Sequence, residues 1–120
     1  MSYFNFREIC TTQEKLDNYP RTMNQVRNLC ALVDMLDEVR EEFNAPIMVN
    51  SGFRSVEVNE RVGGVRNSLH LQGRAADIRP CYGNGMAYNW ELQRLYSILY
   101  KRRDDLTELI KYDTFIHVAL

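Results

Sequence analysis

His70 and His117 are the only two histidines in a chain of 120 residues, and each sits where a metal could use it. His70 opens the run His70-Leu71-Gln72-Gly73-Arg74-Ala75-Ala76-Asp77, which places a carboxylate seven residues downstream with small residues between. His117 lies in the apolar run Phe115-Ile116-His117-Val118. Two imidazole nitrogens and one carboxylate oxygen are the ligand inventory of a catalytic zinc site, which takes three protein ligands at about 2.0–2.2 Å and keeps a fourth position for water. An aspartate between two imidazoles would leave the ion one formal positive charge, enough to acidify a bound water toward neutrality. Another reading stays open on residue types alone. An imidazole on an apolar strand is commonly a satisfied core group, and an aspartate after two alanines commonly caps a turn. If both histidines are committed to a metal, none is left to activate a thiol, which counts against a cysteine enzyme.

The elements that must position these residues follow from periodicity and breakers. The clearest is a helix from Thr22 to Phe43, where Val26, Leu29, Cys30, Val33, Leu36, Val39 and Phe43 recur at spacings of three and four. Asp34, Asp37, Glu38, Arg40 and Glu41 fall on its opposite, solvated face, and Asn44-Ala45-Pro46 ends it. Before it, the segment to about Pro20 reads as a short helix and a loop, with Thr11-Thr12-Gln13-Glu14 as a helix start. Ile47-Met48-Val49-Asn50 reads as a strand closed by Ser51-Gly52, and Ser55 to Val62 as a helix capped by Ser55 and stopped by Gly63-Gly64.

Around the chemistry itself, both histidines and Asp77 fall on segments that read as strand or strand edge. Ala75 to Ile78 is a small-residue strand ended by Pro80; Gly73 allows a tight turn or a close approach, and Ala75 and Ala76 leave room beside Asp77. Gly83-Asn84-Gly85 reads as a flexible loop and Trp90 to Arg103 as a helix with Leu92, Leu95, Tyr96 and Leu99 inward. Glu108 to Tyr112 and Phe115 to Leu120 form a hairpin turning at Asp113-Thr114. Helices and short strands in this irregular order predict an α+β fold, with a small antiparallel sheet packed against helices, in a single domain over residues 1–120.

Composition excludes several classes. The formal net charge is -1, so no excess of basic side chains supports nucleic-acid binding. No apolar stretch approaches the roughly 20 residues that span a bilayer, so no membrane insertion is expected. Cys10, Cys30 and Cys81 form no Cys-x-x-Cys pair and support neither a disulfide framework nor a cysteine zinc knuckle. Cys30 is expected in the core. Met1 to Glu8 carries no basic-then-apolar pattern, so the protein is expected to be cytoplasmic as made, and a monomer. Tyr82, Tyr88 and Trp90 are candidates to line a cleft, although aromatic residues at such spacing more commonly serve the core.

The pattern Ser68-x-His70-x-x-Gly73-x-Ala75-x-Asp77, followed late by Phe115-Ile116-His117-Val118, resembles the zinc D-alanyl-D-alanine carboxypeptidase family. That family includes phage endolysins that cut peptidoglycan stem peptides, and it shares a fold with the Hedgehog signalling domain. Upstream, Ser51-Gly52-Phe53-Arg54-Ser55, Asn59, Val62-Gly63-Gly64 and Asn67-Ser68 follow the same family's run into the motif. The resemblance implies a Hedgehog/DD-peptidase-like fold, Zn2+ held by His70, Asp77 and His117, and a peptidoglycan peptide as substrate. It also implies that Arg54 is the active-site arginine, whose guanidinium can hold a carbonyl oxygen as it gains charge. Ser68 matches a position that helps hold substrate in some members, and a turn hydroxyl is an equally good account of it.

The chain departs from that pattern in two places. Many members carry a glutamate three residues before the last histidine, where it serves as general base; Thr114 stands there instead. Asp113, one residue earlier, and Glu108, expected to face the same side of the hairpin as His117, are the carboxylates available for that role, with Asp113 slightly favoured. Val56 stands where relatives often carry proline. The expected activity is zinc-dependent cleavage of peptidoglycan stem peptides, with exopeptidase or endopeptidase action left open. Release to the cell wall by a phage-type lysis system would suit the N-terminus. The alternative is a non-catalytic zinc-binding or virion-structural module on the same fold, which the missing glutamate supports.

Overall fold

Four antiparallel strands and two long helices organise the computed structural model, which describes residues 3–120. The helices are α1 (Phe6–Ile9), α2 (Met23–Phe43), α3 (Val56–Arg61) and α4 (Gly85–Tyr100), with short 3-10 turns at Leu69–Gln72 and Arg103–Asp105. The strands are β1 (Ile47–Ser51), β2 (Ala75–Pro80), β3 (Glu108–Lys111) and β4 (Ile116–Ala119), in the sheet order β1-β2-β4-β3. The expected α+β fold with a small antiparallel sheet is what forms.

The two faces of the sheet have separate duties. Ile47 and Val49 of β1, Ala76 and Ile78 of β2, and Ile116 and Val118 of β4 point into the core and meet α2 and α4. Side chains alternate along a strand, so Asp77, His117, Ile110 and Glu108 are left together on the opposite, open face. The register fixes this: Asp77 stands across from His117, and His117 across from Ile110. A slip of one residue would bury the charged row and expose Ile78 and Ile116.

α2 starts at a capping box, in which Thr22 accepts from Gln25 N and the Gln25 side chain takes the Thr22 N–H. It ends where Asn44 turns left-handed at φ 56°, ahead of Pro46. Leu29, Leu32, Val33, Leu36, Val39 and Phe43 form its buried stripe, while Cys30 is exposed. That corrects the expectation for Cys30. With 100° per residue, position 30 lies well outside the arc centred on Leu32, Leu36 and Phe43. Asp37 is also more than a solvated group, since it accepts from the backbone N–H of Tyr3 and Phe4 and ties the N-terminal segment to α2.

Other boundaries moved. The expected helix start at Thr11-Thr12-Gln13-Glu14 is a bend in which Thr12 Oγ1 accepts from Glu14 N at 3.1 Å; the helix lies earlier, at α1, capped by Asn5. α4 begins at Gly85 rather than Trp90, taking up part of the expected glycine loop, and ends at Tyr100. His70 lies on a 3-10 turn, not on a strand edge. Ser68 caps that turn and Gly73 ends it in the left-handed region, at φ 75°. A Cβ on Gly73 would come within 2.9 Å of the Gln25 carbonyl oxygen, so both the turn and the close approach to α2 require glycine.

Candidate metal centre

The turn that carries His70 is fastened to the loop after β1. His70 Nδ1 donates to the carbonyl oxygen of Gly52 at 2.7 Å, and the His70 carbonyl accepts from Arg54 N at 3.1 Å. A carbonyl oxygen can only accept, so Nδ1 carries a proton, and Nε2 is the nitrogen left to face the cluster. Nε2 faces Asp77 Oδ1 at 3.4 Å, in a position that is 3% exposed. The Gly52 loop is itself pinned by Phe53 N donating to the Ile9 carbonyl at 2.6 Å, which gives the short α1 a part in the site.

His117 reaches the same carboxylate across the β2–β4 pair. Its Nδ1 lies 2.8 Å from Asp77 Oδ1 and its Nε2 lies 2.8 Å from Glu108 Oε1. The two imidazoles meet edge to face, with ring centroids 5.3 Å apart. One donor atom from each of His70, Asp77 and His117 falls within 4.8 Å of the others. The sequence-predicted triad is therefore brought together, from a turn and two strands.

The electrostatics follow from this crowding. Burial pushes the Asp77 carboxyl up, but hydrogen bonds from His117 and His70 outweigh it and hold the group at about 2, against an ordinary 3.8. The bond to Asp77 raises His117 above its ordinary 6.5; burial opposes this, and Glu108 adds to the rise. Two carboxylates, one at each ring nitrogen, favour the imidazolium form of His117 without metal, which can donate from both nitrogens. A cation at Nδ1 would replace one of those protons and leave Nε2–H on Glu108. Two nitrogens and one oxygen converging with this second bond in place fit zinc.

Arg54 completes the constellation. Its Nη2 lies 3.7 Å from Asp77 Oδ2, its Nε donates to Ser51 Oγ at 3.1 Å and its Nη1 to Asn59 Oδ1 at 3.4 Å. Asn59 is buried, and its Nδ2 donates to the Val65 carbonyl at 2.9 Å. A Cβ on Gly64 would fall 2.1 Å from Asn59 Oδ1 and 3.1 Å from Arg54 Nη1, so this position must be glycine for the arginine to keep its support.

A model of the peptidase M15 family matches residues 2–119. The chain belongs to that family. A zinc D-Ala-D-Ala carboxypeptidase of Streptomyces albus G is 61% identical over 33 residues, which are 28% of this chain and 13% of that protein. The match thus spans a small part of the relative's length.

For this M15 chain, the remaining predicted residues separate clearly. Ser68 Oγ accepts from His70 N at 3.2 Å and so caps the turn that holds the imidazole. Glu108 is in contact with His117, as the strand alternation predicted. Asp113 sits exposed in the β3–β4 turn, and no hydrogen bond or ion pair among the described residues joins it to the triad. Of the aromatic candidates, Tyr82 and Trp90 are largely exposed, while Tyr88 packs against the core and donates from its hydroxyl to the Thr114 carbonyl. Sequence reasoning missed the Gly52 carbonyl and the support that Ser51 and Asn59 give Arg54. Backbone groups leave no trace in residue type, but the Ser51-Gly52-Phe53-Arg54 run and Asn59 did mark the place.

Proposed function

We propose that this chain is a zinc metallopeptidase that hydrolyses peptidoglycan stem peptides, at or near a terminal D-Ala-D-Ala. The observation that carries the reading is the convergence of His70 Nε2, the Asp77 carboxylate and His117 Nδ1, with the Arg54 guanidinium beside Asp77. His70, Asp77 and His117 would hold the ion, which when bound supplies an acidified water and polarises the scissile carbonyl.

The side chains have distinct tasks in this reading. Arg54 holds the carbonyl oxygen of the substrate as negative charge builds on it, from a guanidinium already oriented by Ser51 and Asn59. Gly52 keeps the His70 proton on Nδ1. Glu108 fixes the His117 ring by accepting its Nε2–H and is the first carboxylate to test as proton acceptor, ahead of Asp113. It already holds a proton of the cluster, whereas Asp113 does not touch it. The Ser68 hydroxyl, having accepted from His70 N, keeps its own proton for a substrate oxygen. Residues 1–120 act as a single domain and as a monomer. Among the described residues no helix is long and apolar enough to cross a membrane.

The test measures bound zinc and cleavage of stem peptides in parallel, for wild type, His70→Ala and Arg54→Ala. The reading predicts zinc and cleavage in wild type, neither in His70→Ala, and zinc without efficient cleavage in Arg54→Ala. Zinc in wild type with no cleavage across several wall chemotypes would favour the non-catalytic module that Thr114, in place of glutamate, first suggested.

A further inference from the structure

The site described above occupies one half of the sheet's open face. Arg79 stands on the other half, two residues beyond Asp77 on β2 and on the same side of the strand. Its cross-strand partner on β1 is Met48. Continuing the β2–β4 register aligns it with Phe115, which stacks on Tyr112 at a centroid distance of 4.7 Å. Next to the metal row there is thus a row made of a methionine, an arginine and two aromatic rings.

Arg79 is held but not neutralised. Its Nε donates to Asn50 Oδ1 at 3.0 Å and its Nη1 to the Pro80 carbonyl at 3.3 Å. Among the described residues no carboxylate forms an ion pair with it, whereas Arg54 has Asp77. A guanidinium whose plane is fixed by neutral oxygens, with Nη2 uncommitted, is prepared for a bidentate or charge-assisted bond to an anion from outside.

The groove beside it gives the anion a direction. A hollow of about 300 Å³ lies between the Thr11-Thr12-Gln13 segment and β1, with Met48, Asn50 and Arg79 along it. It adjoins a second of about 330 Å³, which shares that segment and Asn50 and reaches Ser51, Arg54 and Glu14, whose carboxylate is paired with Arg61 at 3.7 Å. One trough therefore has a guanidinium at each end, Arg54 at the metal cluster and Arg79 at the far end. Two residues of strand separate Asp77 from Arg79 by about 7 Å, a span that one or two residues of an extended peptide cover.

We infer that Arg79 anchors a carboxylate of the peptide substrate, one or two residues from the bond that is cut. The inference rests on the peptidase reading of the neighbouring site. The carboxylate is either the α-carboxylate of the peptide's C-terminal residue or the side chain of an acidic residue close to it. Met48, which lines the Arg79 hollow, supplies apolar contact for the small side chain beside the anchor, and the Tyr112–Phe115 stack closes the far side of Arg79.

The test is a binding titration of the metal-free protein, followed by NMR, with three probes: N-acetyl-D-Ala-D-Ala as free acid, the same peptide as its C-terminal amide, and N-acetyl-D-Glu-D-Ala amide. Cleavage of each by the zinc-loaded protein is measured in parallel. Wild type is expected to bind at least one acid-bearing probe about 10–100-fold more tightly than the neutral amide, and the acid that wins identifies the source. Arg79→Gln is expected to bring all three within about threefold of one another, and Arg79→Lys to keep part of the preference. Equal binding of the three probes by wild type, or an undiminished preference in Arg79→Gln, overturns the anchor even if cleavage is robust. Acid-selective binding that depends on Arg79 without any cleavage supports the anchor and counts against the peptidase reading instead.

Discussion

The two sides of the candidate metal centre are built differently. On one side His70 and Arg54 are held mainly by buried groups: the Gly52 carbonyl, Asn59 at 3% exposure, and a turn that packs on α2. On the other, His117 and Glu108 stand on the β4–β3 hairpin, with the Glu108 side chain 45% exposed and Asp113 in an open turn. The first side can keep its geometry without a ligand. On the second, His117 is sheltered at 14% exposure but its outer partner Glu108 is held by a bond that water can compete for, so that outer half is free to adjust when metal or substrate arrives. Substitutions on the first side should cost structure and chemistry together, and those on the second should change metal affinity or proton transfer while the fold persists.

The largest expected effect breaks the first side outright. His70→Ala should lose stoichiometric zinc and reduce cleavage to background, read by metal analysis and peptide turnover. Arg54→Ala should keep zinc and lower kcat/KM about 100–1000-fold, the loss expected for one oriented donor at a developing oxyanion. Glu108→Gln probes the second side. Loss of the carboxylate on His117 Nε2 should weaken zinc binding about 10–100-fold with little change in melting temperature, whereas Asp113→Asn should leave zinc affinity as it was. Asn59→Ala should destabilise the fold by about 1–3 kcal/mol, because it removes a buried partner of Arg54 and of the Val65 carbonyl, and chemical denaturation measures this.

The smallest expected effect is a pH dependence of the metal-free protein. His117 is raised above its ordinary 6.5, so its contribution is complete below that value and is lost as pH rises through the raised one. Asp77 is lowered to about 2, so its contribution holds above 3.8 and is lost only on acidification toward 2. Melting temperature without zinc should therefore fall as pH is taken upward past 6.5, and zinc should remove that trend. A melting temperature that rises over the same range would contradict the arrangement of His117 between two carboxylates.

The same contrast explains what could be read from the amino-acid sequence. α2 was legible because its stripe runs through 21 residues and closes at an asparagine and a proline. Cys30 was misplaced because a stripe defined by spacing alone leaves the centre of the buried arc free to rotate. The His70 turn reads as a strand edge in the sequence because four residues of 3-10 helix are too short to show a period. The start of α4 was missed because Gly83-Asn84-Gly85 carries loop residues, although Gly85 already belongs to the helix. In the site, the triad and Arg54 were legible as residue types in a motif. Glu108 followed from strand alternation, but its preference over Asp113 depends on where the hairpin turns, which only the register decides.

X-ray absorption at the zinc K-edge of the loaded protein tests the central claim most directly. The arrangement of His70, Asp77 and His117 predicts a four-coordinate ion with two imidazoles and light oxygen ligands and no sulfur, reduced to one imidazole or to no bound zinc in His117→Ala. A spectrum with sulfur ligands, or one unchanged by that substitution, would contradict it.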